Sequence, residues 1–175
     1  MNDEKKWLRR QQGFGDAPAR EERFEIAGKA LAKARIRNRD LSHNGSSCPI
    51  LVEGRKDVRA LRKLGFSGPI ELLNRGWDRN RLVAYLFETY GRINPIDGGP
   101  ALIILMDWDR TGGRIQNEIS TRLRALDVVL DEETRLELIK VMTPEGKTVE
   151  SLSPFARDLL KEISIHDPFE SEEEE

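Results

Sequence analysis

The chain has little of what builds covalent or soft-metal scaffolds. Cys48 is its single cysteine, and His43 and His166 are its two histidines. One cysteine excludes an intramolecular disulfide, and this set cannot complete a tetrahedral zinc site from Cys and His alone. Apolar runs are short, none approaching the ~20 residues that span a bilayer. The opening MNDEKKWLRRQQ lacks the apolar segment of a signal peptide. A cytoplasmic protein in a reducing compartment, with no membrane contact, is therefore expected. Neither charge dominates, since 29 basic residues face 31 acidic ones for a net charge of −2. That balance excludes a bulk electrostatic pull on nucleic acid. No GxxxxGK[ST] occurs, which sets aside a P-loop nucleotide hydrolase.

What the chain does have is acid placed at the ends of apolar runs. Asp107 and Asp109 close LIILMDWDRTGGR, and Glu53 closes PILVEGRKD. Short apolar runs bounded by Gly and charge, each followed by helical spacing, read as buried parallel strands. The acids then sit at strand C-terminal ends, the edge where open α/β sheets bind ligands.

The 175 residues, 38% of them apolar, suffice for one domain with extensions. Residues 1–16 are polar with two glycines and read as a flexible arm. Residues 17–48 read as a helix to about Asp40, with Phe24, Ala27, Leu31 and Ala34 on one face, and then a linker. Lys29, Lys33 and Arg37, with Arg35 and Arg39 alongside, give that helix a basic outer face. From Pro49 the pattern alternates. Strands are expected at Ile50–Val52, Ile70–Leu73 and Ala101–Met106, with a fourth preferred at Val128–Leu130 ahead of a helix capped by Asp131. Ser153 before Pro154 predicts a closing helix over 153–166. The final DPFESEEEE, residues 167–175, carries six acids and no base and reads as a disordered tail. The expected fold is α/β: a three-layer, Rossmann-like arrangement with a mainly parallel sheet of about four strands and an added N-terminal helix.

If strands one and three are neighbours, Glu53, Asp107 and Asp109 meet where the strand order reverses. Two carboxylates ~4 Å apart repel by ~4 kcal/mol at an effective dielectric of ~20, which favours a raised pKa or a bound cation. Oxygen donors without Cys or His point to Mg2+ or Mn2+. Gly54, Gly112 and Gly113 open the following helices, where backbone N–H groups can face a phosphate. Arg55, Lys56 and Arg110 flank the acids. A metal on one side of a phosphodiester and cations on the other imply phosphoryl transfer, with Glu53 as general acid or base.

These residues resemble the Toprim domain shared by topoisomerases, bacterial-type primases and several nucleases. ILVEGRKDVRALRKLG is similar to its strand ending in Glu-Gly, and LIILMDWDRTGG to its strand ending in DxD. The later GKTVESL resembles its closing VExL element. The resemblance runs over 49–152, within small single-domain archaeal and bacterial Toprim proteins similar to the 5S ribosomal RNA maturation nuclease. It implies Glu53 as catalytic acid or base and Asp107 and Asp109 as metal ligands, with Glu150 a further candidate. It also implies a nucleic-acid substrate, RNA before DNA. No topoisomerase tyrosine domain or primase zinc module accompanies these motifs.

Other uses compete for the same residues. An Asp after a strand commonly caps the next helix, Asp57 reads as a structural charge in a first helical turn, and a basic helix face is usually solvated. Trp108, between the two aspartates, suits either stacking on a base or packing. DxDxT also resembles the opening motif of haloacid-dehalogenase-like phosphatases, with Asp107 as nucleophile, but too little chain follows for that fold and Glu53 would have no part in it. A non-catalytic binding module built on a Toprim core is the third alternative.

Overall fold

The computed structural model describes residues 17–168. The arm assigned to 1–16 and the tail from 169 onward lie outside the described residues. Among the described residues six α-helices surround a four-stranded sheet: α1 (Ala17–Asn38), β1 (Ile50–Val52), α2 (Arg55–Lys63), β2 (Ile70–Leu72), α3 (Arg79–Tyr90), β3 (Leu102–Ile104), α4 (Arg110–Arg124), β4 (Leu130–Asp131), α5 (Glu133–Met142) and α6 (Ala156–His166). All pairings are parallel, in the order β2-β1-β3-β4. Central β1 and β3 are buried along their whole length, as strands covered on both faces must be.

The strands' alternating side chains build two cores. Ile50, Val52, Ile103 and Leu105 meet α1, α2, α5 and α6, whereas Leu51, Leu102, Ile104 and Met106 meet α3 and α4. This is the expected three-layer α/β/α fold. Strand bounds fall within a residue or two of the apolar runs, and Asp131 takes the Thr134 N–H at 3.1 Å at the start of α5. No helix among the described residues is long and apolar enough to cross a membrane.

Three expectations change. First, α1 is no appendage: Phe24, Ala27, Leu31, Ala32 and Ala34 belong to the first core, and the helix packs on α5 and α6. Gly28 permits that approach, since a Cβ there would lie 2.3 Å from the Glu162 Cβ. Second, the basic face of α1 is largely spent inside. Arg35 and Arg39 are buried on Asp167, at 2.7 and 2.8 Å, and Arg37 grips Asp97 with two hydrogen bonds of 2.7 and 3.0 Å. Lys29 and Lys33 remain exposed. The acidic segment thus begins with an anchored residue: Asp167 is 2% exposed. Third, the segment from Glu150 to Phe155 is a 3-10 turn containing Pro154, and the closing α-helix starts at Ala156 instead of Ser153.

Candidate phosphoryl-transfer site

The strand order diverges between β1 and β3, so the segments leaving their C-terminal ends bound one crevice. Glu53 follows β1, while Asp107 and Asp109 follow β3. All three side chains are half-buried. The Asp107 N–H donates to Glu53 Oε1 at 3.2 Å, and Asp107 Oδ1 accepts the Val149 N–H at 2.9 Å. Burial, reinforced by the charges of Asp57, Glu53 and Asp109, pushes the Asp107 carboxyl up to about 7 against the opposing Val149 hydrogen bond. Burial also raises Glu53, with Asp57 and Asp109 adding to it and the Asp107 N–H offsetting it. Near neutral pH such a pair favours a shared proton or a cation.

Asp109 sits differently. Its Oδ1 caps α4 by accepting the Gly112 N–H at 2.7 Å, the structural use open to any Asp after a strand. Its charge still reaches Glu53 and Asp107. Gly112 makes a second contribution through its size: a Cβ there would lie 2.0 Å from the Asp107 carbonyl oxygen, so only glycine lets the start of α4 pass this close.

Three residues hold the crevice in shape, and the sequence singled out none of them for it. Arg135, buried in α5, donates through Nε to the Met106 carbonyl at 3.0 Å and through Nη2 to the Asp107 carbonyl at 2.9 Å. Burial lowers its pKa, while Glu132, Glu53, Asp107 and Asp109 raise it; a guanidinium nonetheless stays charged. It is the cation that backs the acids, and a lone Arg on a helix carries no local signal of that use. Asp57 is buried and ties two segments together, accepting the Gly54 N–H at 3.1 Å and the Glu150 N–H at 3.1 Å. Asp57 at N3 was legible as a helix-start charge, but its long-range bond to Glu150 was not. Trp108 packs in the core, 8% exposed, and its indole N–H donates to the Gly146 carbonyl at 2.8 Å. Together with the Trp108 N–H on the Lys147 carbonyl, at 2.7 Å, this draws the segment before Val149 against the site.

The phosphate-facing glycines are already engaged. Gly54 donates to Asp57, Gly112 to the Asp109 side chain and Gly113 to the Asp109 carbonyl at 2.9 Å. Cationic reach is left to the exposed side chains of Arg55, Lys56 and Arg110, at the starts of α2 and α4. Glu150 is exposed, its backbone joined to Asp57 and its carboxylate raising the Asp57 pKa after the larger effect of burial.

Among the described residues no three His, Cys, Asp or Glu side chains gather closely enough to hold a metal by themselves. Asp107 and Asp109 each give one oxygen to a backbone N–H, and the Asp107 carboxyl also shares a side-chain hydrogen bond with Glu53. Mg2+ takes one or two carboxylates and completes its shell with water, whereas caged Ca2+ and structural zinc need more protein ligands. The acids present fit the former.

A doubly wound α/β domain with carboxylates at its switch point defines the structural class. Two curated relatives share its sequence: a UPF0292 protein of Methanosarcina barkeri, 30% identical over 137 residues (78% of this chain and 89% of the relative), and one of Thermoplasma volcanium, 33% identical over 121 residues (69% and 92%). The chain belongs to the UPF0292 family. A solved structure of a protein from Aquifex aeolicus is similar too, with a TM-score of 0.50 and 25% identity, over 69% of this chain and 93% of that one. No protein-family model matches the chain.

Proposed function

We propose that this chain is a Toprim-type protein performing magnesium-dependent phosphoryl transfer on nucleic acid, a nuclease-like phosphodiester cleavage with RNA the favoured substrate, in the cytoplasm. The observation that carries the reading is the approach of Glu53 to Asp107 across adjoining strand ends, closed by the 3.2 Å Asp107 N–H bond. A carboxyl lifted above its ordinary range, as Glu53 is, suits proton transfer near neutral pH. Asp107, with Asp109, would hold the ion through the oxygens their backbone bonds leave over. A bound Mg2+ or Mn2+ would supply charge stabilisation at the phosphoryl oxygens. Arg55, Lys56 and Arg110 would steady the substrate phosphate by charge-assisted hydrogen bonds, and Arg135 would set the Asp107 backbone from behind.

The test is cleavage of structured RNA and of single- and double-stranded DNA, with Mg2+ and with chelator, by the wild type, Glu53→Gln and Asp107→Asn. Magnesium-dependent cleavage that falls at least a hundredfold in both variants is expected. Equal activity in all three proteins would sink the proposal. Turnover of a small phosphomonoester that only Asp107→Asn abolishes would indicate the phosphatase chemistry instead, and binding without cleavage would indicate a non-catalytic module.

A further inference from the structure

The N-terminal end of α2 abuts the crevice, and the helix carries cations away from it. Lys56, Arg59 and Lys63 recur at i, i+3 and i+7, which places them along one face. α6 adds Arg157 and Lys161, one turn apart. All five are exposed, and none makes an ion pair among the described residues.

Two open grooves connect them. One is lined by Lys56, Arg59, Glu150, Ser153 and Pro154. The other has Lys63, Arg157 and Lys161 around a floor of Ala156 and Leu160. They abut where Lys63 Nζ donates to Ser153 Oγ at 3.2 Å. Asp158 and Glu162 line a separate depression against α1, which Lys161 also borders, so that Lys161 stands between the two hollows while Arg157 lines only the one beside α2. Glu150 is the single acid in the two grooves. Other cations of this chain, such as Arg23, Arg75 and Arg124, sit on Glu145, Glu71 and Glu132. On a protein of net charge −2 a strip of unneutralised cations is costly through self-repulsion unless something anionic covers it.

We infer that the groove between α2 and α6, with its five unpaired cations Lys56, Arg59, Lys63, Arg157 and Lys161, is a docking track for a nucleic-acid backbone leading into the acidic crevice. The inference deepens the proposed phosphoryl-transfer function and rests on it for direction. From Lys56 to Lys63 the helix rises ~10 Å, long enough to reach successive phosphates of one strand. The track offers no exposed aromatic side chain, so contact is through phosphate charge and indifferent to base sequence.

The test is binding of 20-base-pair RNA and DNA duplexes in EDTA over a salt series. It compares the wild type with Arg59→Gln/Lys63→Gln/Arg157→Gln/Lys161→Gln and with the control Lys29→Gln/Lys33→Gln on α1. Each lost phosphate contact reduces the slope of log K against log salt by about 0.9. The quadruple variant should therefore bind with a slope shallower by about 3.6, the control should match the wild type, and Arg59→Lys/Arg157→Lys should keep the slope. An unchanged slope in the quadruple variant, or an equal loss per charge in the control, overturns the track. So does capture of polyglutamate with no binding of either duplex, which would indicate an acidic protein partner. Because turnover plays no part in the measurement, an inactive protein that keeps the track-dependent slope fails only the catalytic proposal.

Discussion

Asp107 shows what burial beside like charge does to a single carboxyl. Its native pKa of about 7 stands above the unfolded value near 3.9. The native state therefore holds a proton the unfolded chain has shed, and Asp107's favourable contribution, complete below about pH 4, is lost as pH rises to 7. In EDTA the wild type should lose on the order of 1–2 kcal/mol between pH 5 and pH 7.5 from this group, after discounting for its partial exposure. Asp107→Asn should show a shallower decline in thermal melts over the same interval, and Mg2+ should restore the wild type at pH 7.5 by binding the native state. Parallel melting curves for the two proteins across that range would contradict the assignment. Asp107 was legible from the sequence as a site residue. The direction of its shift followed from the expected meeting with Glu53, but its extent did not, because burial contributes most and Asp57 adds charge from another element.

At the level of elements, the chain's oppositely charged ends meet once in the described residues. Asp167, at the close of α6, is held by Arg35 and Arg39 of α1 across 132 and 128 residues of sequence. Burial alone would raise its pKa, but the hydrogen bonds from Arg39 and Arg35 override that and hold it below the ordinary carboxylate range. A depressed native pKa contributes stability above the unfolded value near 3.9 and loses it as pH falls through the native one. Asp167→Asn should cost ~3 kcal/mol at pH 7, because two buried guanidiniums lose their counter-charge. In urea titrations the gap between variant and wild type should narrow below pH 4; a gap that stays constant down to pH 2 would refute the linkage. The sequence exposed the charge asymmetry of the ends, but arginines at helical spacing read the same whether solvated or buried. Only the packing of α6 on α1 distinguishes the two.

For the whole molecule, the layered fold makes α1 part of the domain that the motifs alone would start at Pro49. Without residues 1–48, the first core loses Phe24, Ala27, Leu31 and Ala34, and Asp167 is left buried without its partners. Such a truncated chain should lack a sharp thermal transition and should bind a hydrophobic dye, as loosely packed states do. A cooperative melt within a few degrees of the intact protein would show α1 to be dispensable. The M. barkeri relative matches over 78% of this chain, more than the 49–152 stretch that carries the Toprim resemblance.

The sequence by itself determined what is local: apolar runs that can only be buried strands, aspartates that open helices, and right-handed crossovers that bring β1 beside β3 and so Glu53 beside Asp107. Tertiary structure alone decided which charges are spent and which stay free. Arg35, Arg39 and Arg135 were drawn inside, and Lys56, Arg59, Lys63, Arg157 and Lys161 were left outward along one groove. A side chain's burial and counter-charge are set by residues distant in sequence, and the free energy of holding a charge depends on both.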